Sequence, residues 1–234
     1  MNLNKHHNIT KVGKYHFQTY AGSWHCVSTH LRRGGWEIEQ QKEFLKHCSP
    51  KKYSIDIGGQ IGAHAVPLAD FSKKLIVFEP NKDNFRMLEE NISLNKLEEK
   101  SLLVNKACGD VSGVLSLGGK SLNSLYKQNS KMANNFYSVE IIVLDDFLNK
   151  NIISSKEISF IKIDVEGFEL QVLKGMKETL SKSKDLVLYL ETHRKCSADE
   201  SLNPKEESEN FLRLLGFSEK IRVDNNSCFW SKSI

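Results

Sequence analysis

Short apolar runs alternate with amphipathic stretches along most of this chain. The runs "YSIDI" (53 to 57), "LIVFE" (75 to 79), "SLLVNKA" (101 to 107), "EIIVL" (140 to 144), "SFIKID" (159 to 164) and "LVLYLE" (186 to 191) read as strands. Several are apolar at consecutive positions, the pattern of parallel strands covered on both faces. Helical spacing lies between them, as in Phe85, Leu88 and Ile92, or Leu170, Leu173 and Met176. After Pro204, which can open a helix carrying Phe211, Leu212 and Leu215 up to Gly216, the rhythm changes. There "KIRV" and "CFWS" flank Asp224-Asn225-Asn226-Ser227, a hairpin signal. The pattern predicts an α/β fold: a mostly parallel sheet with helices on both faces and an antiparallel hairpin at the C-terminal end.

Two segments depart from that scheme. The first 35 residues contain "KYHFQTYAG" and, with the adjoining Trp36, the aromatic and basic group Trp24, His25, His30, Arg32 and Arg33, and a helix with Phe44 and Leu45 on one face follows. We read residues 1–50 as a cap or substrate region on a catalytic core of 51–234, together one domain. Residues 118 to 137, polar and rich in Asn, Ser and Lys, are too long for a simple connection and read as a mobile loop.

Composition narrows the class. With 26% charged and 39% hydrophobic residues the chain is globular, and no apolar run approaches the roughly 20 residues of a membrane span. "MNLNKHHNITK" has no secretory pattern, so a soluble, cytoplasmic protein is the expectation. Five cysteines without a C-x-x-C pair point to neither a disulfide framework nor a zinc site. The net charge of +4 is spread rather than clustered, which permits nucleic acid without indicating it. Oligomeric state is not legible.

The stretch "IDIGGQIGAHAV" runs from a strand into a glycine turn and a helix, a place where α/β proteins present backbone N–H groups to a ligand. The dinucleotide fingerprint would need glycines at 58, 60 and 63, and Gln60 and Ala63 break that register. Asp56 before the turn suits a ligand carrying an ammonium group better than a pyrophosphate. Glu79, about 20 residues on at the end of the next strand, is placed to accept from two ribose hydroxyls. S-adenosylmethionine meets both demands.

The ordered set "IDIGGQIGAHAV", "VFEPNKDNFRMLEENISLN", "LLVNKACGDVSGVLSL", "VLDDF", "ISFIKIDVEGFELQVLKG" and "LYLETH" resembles the FkbM-type methyltransferases over about residues 53 to 193. "KIDVEGFELQVLKG" is its most specific element. The resemblance implies a Rossmann-like, S-adenosylmethionine-dependent methyltransferase acting on a hydroxyl of a sugar, glycan or natural product. It would place Asp56, Gly58, Gly59, Gln60 and Gly62 around the methionine end, Glu79, Pro80 and Asn81 around the ribose, and Ala107, Cys108 and Gly109 near the adenine. An RNA methyltransferase and a noncatalytic cofactor- or glycan-binding module are the alternatives.

A sugar hydroxyl is a weak nucleophile and needs a positioned base or a metal ion. Asp164 and Glu166, and Glu191 and His193, are spaced i, i+2 at the ends of two strands, so both pairs meet at the carboxyl edge of the sheet if the extended conformation persists. Asp164 would also adjoin the cofactor. His193 is the expected base, titrating near 6.5; a divalent cation on Asp164 and Glu191 is the alternative. Arg32, Arg33 and Trp36 are the substrate-binding candidates in the cap, whereas Asn91 and Asn95 read as helix-end residues.

Overall fold

The computed structural model describes residues 7–21, 25–117, 125–126, 137–193 and 203–232. In chain order the strands and helices are β1 (His7–Val12), β2 (Tyr15–Tyr20), α1 (Cys26–Arg32), α2 (Ile38–His47), β3 (Tyr53–Ile57), α3 (Ala65–Phe71), β4 (Lys74–Phe78), α4 (Lys82–Leu94), β5 (Ser101–Val104), β6 (Ala107–Cys108), β7 (Gly113–Leu117), β8 (Leu125–Tyr126), β9 (Tyr137–Ile142), α5 (Leu144–Lys150), β10 (Ile158–Ile163), α6 (Glu169–Gly175), α7 (Lys177–Lys182), β11 (Val187–Glu191), α8 (Pro204–Leu214), β12 (Phe217–Arg222) and β13 (Ser227–Lys232).

The central sheet has the order β12-β13-β11-β10-β3-β4-β5. Strands β11, β10, β3, β4 and β5 run parallel, and β13 joins β11 antiparallel, as β12 joins β13. The expected terminal hairpin is present, and its turn is fastened by Asp224 Oδ1, which accepts the N–H groups of Asn226 at 2.7 Å and Ser227 at 2.8 Å.

Alternation along the strands feeds two cores. Ile55, Ile57, Ile161 and Ile163 face Leu144, Leu148, Val172, Leu173 and Leu212 from α5, α6 and α8. On the other face Leu75, Val77, Phe160 and Tyr189 meet Leu31, Phe44, Leu68 and Leu88 from α1 to α4. Both faces are dry, which is why the strands read as continuous apolar runs.

Two strand expectations need correction. "SLLVNKA" is interrupted rather than continuous: at Asn105 the chain turns, and the Asn105 amide donates to the carbonyls of Glu79 at 2.8 Å and Pro80 at 3.2 Å. The run placed at 140 to 144 is β9, and it lies in a second sheet of order β6-β9-β7-β8, outside the central one. Leu144 already opens α5.

The N-terminal segment expected as a cap holds a β1–β2 hairpin, α1 and α2. Asn91, read from sequence as a helix-end residue, instead lies buried in α4 and clamps the cap to the core. Its amide donates to the carbonyls of Gln18 in β2 at 3.1 Å and Ile61 in the glycine turn at 2.7 Å. Asn95 repeats the device one turn on, accepting from His16 N–H at 2.9 Å and donating to its carbonyl at 2.7 Å. The loop predicted at 118 to 137, with Lys120, Lys127 and Lys131, falls outside the described residues except at 125–126 and 137, as does Trp24.

Candidate active site

At the carboxyl ends of β3, β4 and β10 a cleft of about 490 Å³, part of it open to solvent, is lined by the glycine turn, the end of β4, β6 and the segment after β10. Of the predicted cofactor residues, Gly58, Gln60, Glu79, Pro80, Ala107, Cys108 and Asp164 line it, and Glu166 joins them. Lys106 and Val165 line it too and were not foreseen.

The turn itself is built differently from the sequence expectation. The N–H groups of Gly58 and Gly59 donate to the Phe78 carbonyl at 2.9 and 3.1 Å, that of Gly62 to Gly59, and that of Gln60 to Glu79 Oε2 at 2.8 Å. These four donors hold the fold and do not present themselves to a ligand. The glycines are required by close packing. A Cβ on Gly58, at φ +92°, would lie 1.9 Å from the Asp164 carbonyl oxygen, and one on Gly59 would lie 2.3 Å from Val77 Cγ1. Gly62, at φ +91°, backs onto Leu88 of α4.

Asp56 also departs from its predicted place. It is fully buried, and its Oδ1 lies 3.2 Å from Lys162 Nζ, so it is paired inside the protein rather than facing the cleft. Lys162, itself buried, also lies 3.4 Å from the Gly58 carbonyl and 3.4 Å from Asp164 Oδ2. Asn81 caps α4, its Oδ1 accepting from Asp83 and Asn84 N–H at 2.9 and 3.1 Å, and it does not line the cleft. Gly109 likewise sits behind the wall, packed on Ile141 and Phe168.

Glu79 is buried at the cleft edge, where Oε1 accepts the Asn81 N–H at 2.7 Å and Oε2 that of Gln60. Burial pushes its carboxyl up to about 7, against the pull of those two N–H groups. Each oxygen keeps a second lone pair for an incoming hydroxyl.

Beside Asp164 the two predicted strand-end pairs do converge. His193 Nε2 lies 3.9 Å from Asp164 Oδ1, 3.8 Å from Glu166 Oε2 and 3.8 Å from Glu191 Oε1. They do so without the extended continuation expected after β10, because Glu166 is left-handed at φ +57°. The decisive partner was missed: Glu169, fully buried in the first turn of α6, contacts His193 Nδ1 at 3.0 Å through Oε1, which also accepts from Gly167 N–H at 2.9 Å. Glu191 is steadied by Tyr189 Oη at 3.2 Å, and Gln40 of α2 donates to that hydroxyl.

This surrounding sets the charges. Burial alone would lower the His193 imidazole, but the Glu169 hydrogen bond and the charges of Asp164, Glu169 and Glu166 overrule it and raise it to about 9. The expectation of titration near 6.5 is therefore corrected for the cofactor-free protein. Burial, then Asp164 and Glu37, raise Glu191 to about 7, with Lys162 and His193 opposing. Asp164, Glu191 and His193 also offer one atom each within 4.8 Å of one another, a spacing a divalent cation could span.

The cap candidates lie away from the cleft. Arg32 donates to the Tyr20 carbonyl and to Thr29 Oγ1, Arg33 is exposed at the end of α1, and Trp36 packs edge-on against His30 at 5.1 Å. None of the three lines the cleft.

A mostly parallel sheet with a cleft at its carboxyl edge defines a Rossmann-like α/β protein. The chain belongs to the methyltransferase FkbM domain family, whose profile matches residues 56–218. It is 29% identical over 127 residues to the hexuronic acid methyltransferase AglP of Haloferax volcanii, covering 53% of this chain and 50% of that protein. The chain thus spans about half the length of that curated relative. Among solved structures it is similar to the methyltransferase FkbM of Methylobacillus flagellatus, with 16% identity and a TM-score of 0.52 over 86% of this chain and 51% of that one. It is also similar to Trm5b of Pyrococcus abyssi, with 11% identity and a TM-score of 0.52 over 97% and 55%. These two likenesses concern the fold. Among the described residues no helix is long and apolar enough to cross a membrane.

Proposed function

We propose that the protein is an S-adenosylmethionine-dependent O-methyltransferase whose acceptor is a hydroxyl of a sugar, glycan or related natural product. The observation that carries this reading is the placement of a base assembly beside the cofactor cleft. The cleft is lined by the buried carboxylate of Glu79 and by Asp164, and His193 Nε2 lies 3.9 Å from Asp164 Oδ1. Glu79 would hold the ribose of S-adenosylmethionine, Ala107 and Cys108 would border its adenine, and Asp164 would adjoin its methionine end. Pro80 and Gln60 wall the ribose. Residues 1–50 are proposed as a cap of the same domain.

The cofactor supplies a methyl group on an already activated leaving group, so the protein has to align the hydroxyl, exclude water and take its proton. His193 Nε2 is the proton acceptor in this reading, and Glu169 fixes the ring through Nδ1. At neutral pH the cofactor-free imidazole is protonated. The sulfonium and ammonium of a bound cofactor oppose the carboxylates and lower it, so the rate rises with pH through a group between about 6.5 and 9. Replacing Glu169 by Gln removes the main raising influence. In the cofactor-free protein the His193 titration, followed by NMR, should then move down from about 9 toward 6.5.

Glu79→Ala should weaken S-adenosylhomocysteine binding roughly 10- to 100-fold, the loss of a charge-assisted hydrogen bond pair. Ribose hydroxyls donate to the ionised carboxylate. Wild-type affinity should therefore increase several-fold as pH rises through about 7, and the alanine variant should lack that slope in calorimetric titrations.

Incubation with labelled S-adenosylmethionine, a panel of mono- and oligosaccharides and a parallel RNA sample tests the function as a whole. Label in carbohydrate, unaffected by chelator, is the expected result. Label in RNA would assign the alternative acceptor, and loss of transfer with EDTA would favour a cation at Asp164, Glu191 and His193 over the base. Cofactor binding with no transfer to any acceptor would mark a noncatalytic module.

A further inference from the structure

β11 ends in Tyr189-Leu190-Glu191, and the i, i+2 spacing puts Tyr189 and Glu191 on one face of the sheet. The Tyr189 ring is buried between Phe44 of α2 and Phe229 of β13, with centroids 4.7 and 5.1 Å away, so its hydroxyl is held at a fixed point. That hydroxyl meets Glu191 Oε2 at 3.2 Å, and the Gln40 amide of α2 donates to it. An amide N–H accepts nothing, so the phenol's own hydrogen goes to the carboxylate. Gln40 is anchored in turn, because the start of α2 is tied to the chain just after the glycine turn. The Gln41 amide donates to the Ala63 carbonyl at 3.0 Å, and Glu37 Oε2 lies 3.0 Å from His64 Nε2.

This relay occupies only one of the Glu191 oxygens. Among the described residues Oε1 accepts no hydrogen bond: it stands 3.8 Å from His193 Nε2, beyond hydrogen-bond distance, and the side chain keeps 25% exposure. His193 Nε2 is in the same position. Carboxylate oxygens of Asp164, Glu166 and Glu191 surround it at 3.8 to 3.9 Å, and its ring keeps 26% exposure, while Nδ1 is taken by Glu169. Two acceptors that solvent can reach, a ring nitrogen and a carboxylate oxygen, therefore stand side by side across a gap that direct contact does not fill.

Hydroxyl groups donate to both. Neighbouring gauche hydroxyls of a sugar ring lie about a hydrogen-bond length apart, so one that donates to Nε2 leaves the next within reach of an oxygen 3.8 Å away. An isolated hydroxyl would leave Glu191 Oε1 without a donor once the site is closed to water. A site built to hydrogen-bond a substrate hydroxyl discriminates against the analogue that lacks it, because its own polar group is left unpaired.

We infer that Glu191 binds the acceptor, with Oε1 taking the hydroxyl next to the one that is methylated, and that Tyr189 and Gln40 are positioning residues which hold Oε2 so that Oε1 faces His193. The acceptor class is then a vicinal diol. The hydroxyl at Nε2 gives up its proton and gains the methyl group, and the hydroxyl at Glu191 keeps its own. The inference rests on the methyltransferase reading above and names the acceptor class within it. It also makes α2, from the N-terminal segment, a determinant of acceptor choice.

The probes are the methyl pyranosides of glucose, mannose and galactose with their monodeoxy derivatives, offered with labelled S-adenosylmethionine beside the oligosaccharide panel; linkage analysis locates the methyl group in every labelled product. For a methylated glycoside, removing a hydroxyl on a neighbouring carbon should lower kcat/KM by about 10- to 100-fold. Glu191→Gln should collapse that ratio to a few-fold, since an amide oxygen held by Tyr189 turns its NH₂ donor toward the acceptor. Tyr189→Phe, which keeps the packed ring, and Gln40→Ala should each reduce the ratio as well. General structural damage lowers the rates on parent and deoxy glycoside alike and leaves their ratio in place, and circular dichroism shows that each variant is folded. Equal wild-type rates on parent and neighbour-deoxy glycosides, a folded Glu191→Gln protein with the full ratio, or methylation of a primary or isolated hydroxyl in any labelled carbohydrate would overturn the inference while leaving the methyltransferase reading intact. So would loss of transfer with EDTA, which would put a cation on Glu191. Absence of transfer to any carbohydrate would overturn both.

Discussion

His193→Ala should lower turnover by about 10² to 10⁴ while changing the affinity for S-adenosylhomocysteine little, because general-base assistance is of that size and the imidazole lies beyond the cofactor-lining residues. The substitution leaves Asp164, Glu166, Glu169 and Glu191 without their shared cationic neighbour. Its effect on stability therefore has a sign that can be checked. The imidazole is raised from 6.5 to about 9 in the folded protein. Its stabilising contribution is fully present below 6.5 and is lost as pH rises through 9. Wild type should exceed His193→Ala in thermal stability at pH 6.5, and the gap should close by pH 9.5. The groups facing the ring are the four carboxylates named and, through Glu191 and Asp164, the Lys162 ammonium. A variant with wild-type turnover would remove His193 from the chemistry.

Gly58→Ala should cost about 3 kcal/mol or more, lowering the melting temperature by roughly 6 to 12 °C in a chain of this length. Two effects add. The added Cβ would lie 1.9 Å from a backbone carbonyl oxygen, which no side-chain rotation relieves, and φ of +92° is strained for any side chain. Relief requires β3 and the segment after β10 to part, and that movement opens the floor of the cleft. Loss of cofactor binding in this variant should therefore accompany loss of stability rather than occur alone. Differential scanning calorimetry with and without S-adenosylhomocysteine separates the two, and a Gly58→Ala protein melting within 2 °C of wild type would refute the packing argument.

The contrast between Gly58 and Glu169 shows what could be read in advance. Parallel strands buried on both faces announce themselves as apolar runs, and a glycine turn after the first of them gives the cleft its place. The strand ends at Asp164 and Glu191 follow from the same geometry, since side chains beyond the last paired residue of neighbouring parallel strands meet at one edge. What local pattern does not reveal is which charge pairs with which. Glu169 looks like an ordinary acidic residue in the first turn of a helix, a position favoured by the helix dipole. Only the placement of β11 beside β10 brings His193 onto it. Lys162 did leave a trace, a lone cation inside "ISFIKI", the strand β10, whose every residue is buried. Read against the aligned Asp56 of β3, which is its register partner, that lysine marks a buried ion pair. The N–H groups of Gly58 and Gly59 were misjudged for a similar reason: their acceptor, the Phe78 carbonyl, belongs to the adjacent strand β4.

Gly175 illustrates packing that no motif signals. A Cβ on it would lie 1.9 Å from the Gly109 carbonyl oxygen, so the end of α6 is pressed against the strand that borders the cleft. Gly109, expected at the adenine, contributes this contact instead.

The central claim is transfer of a methyl group to a hydroxyl oxygen, and the chemical nature of the product tests it most directly. Carbohydrate labelled by the protein from methyl-labelled S-adenosylmethionine is treated with mild alkali, and the label is followed by mass spectrometry. An ether formed on a hydroxyl withstands the treatment, so the account predicts that the label stays with the sugar and that the amount formed is the same with EDTA present. Release of the label as methanol would identify a methyl ester, and with it a carboxylate acceptor that needs no base of the kind His193 provides; that result would contradict the account.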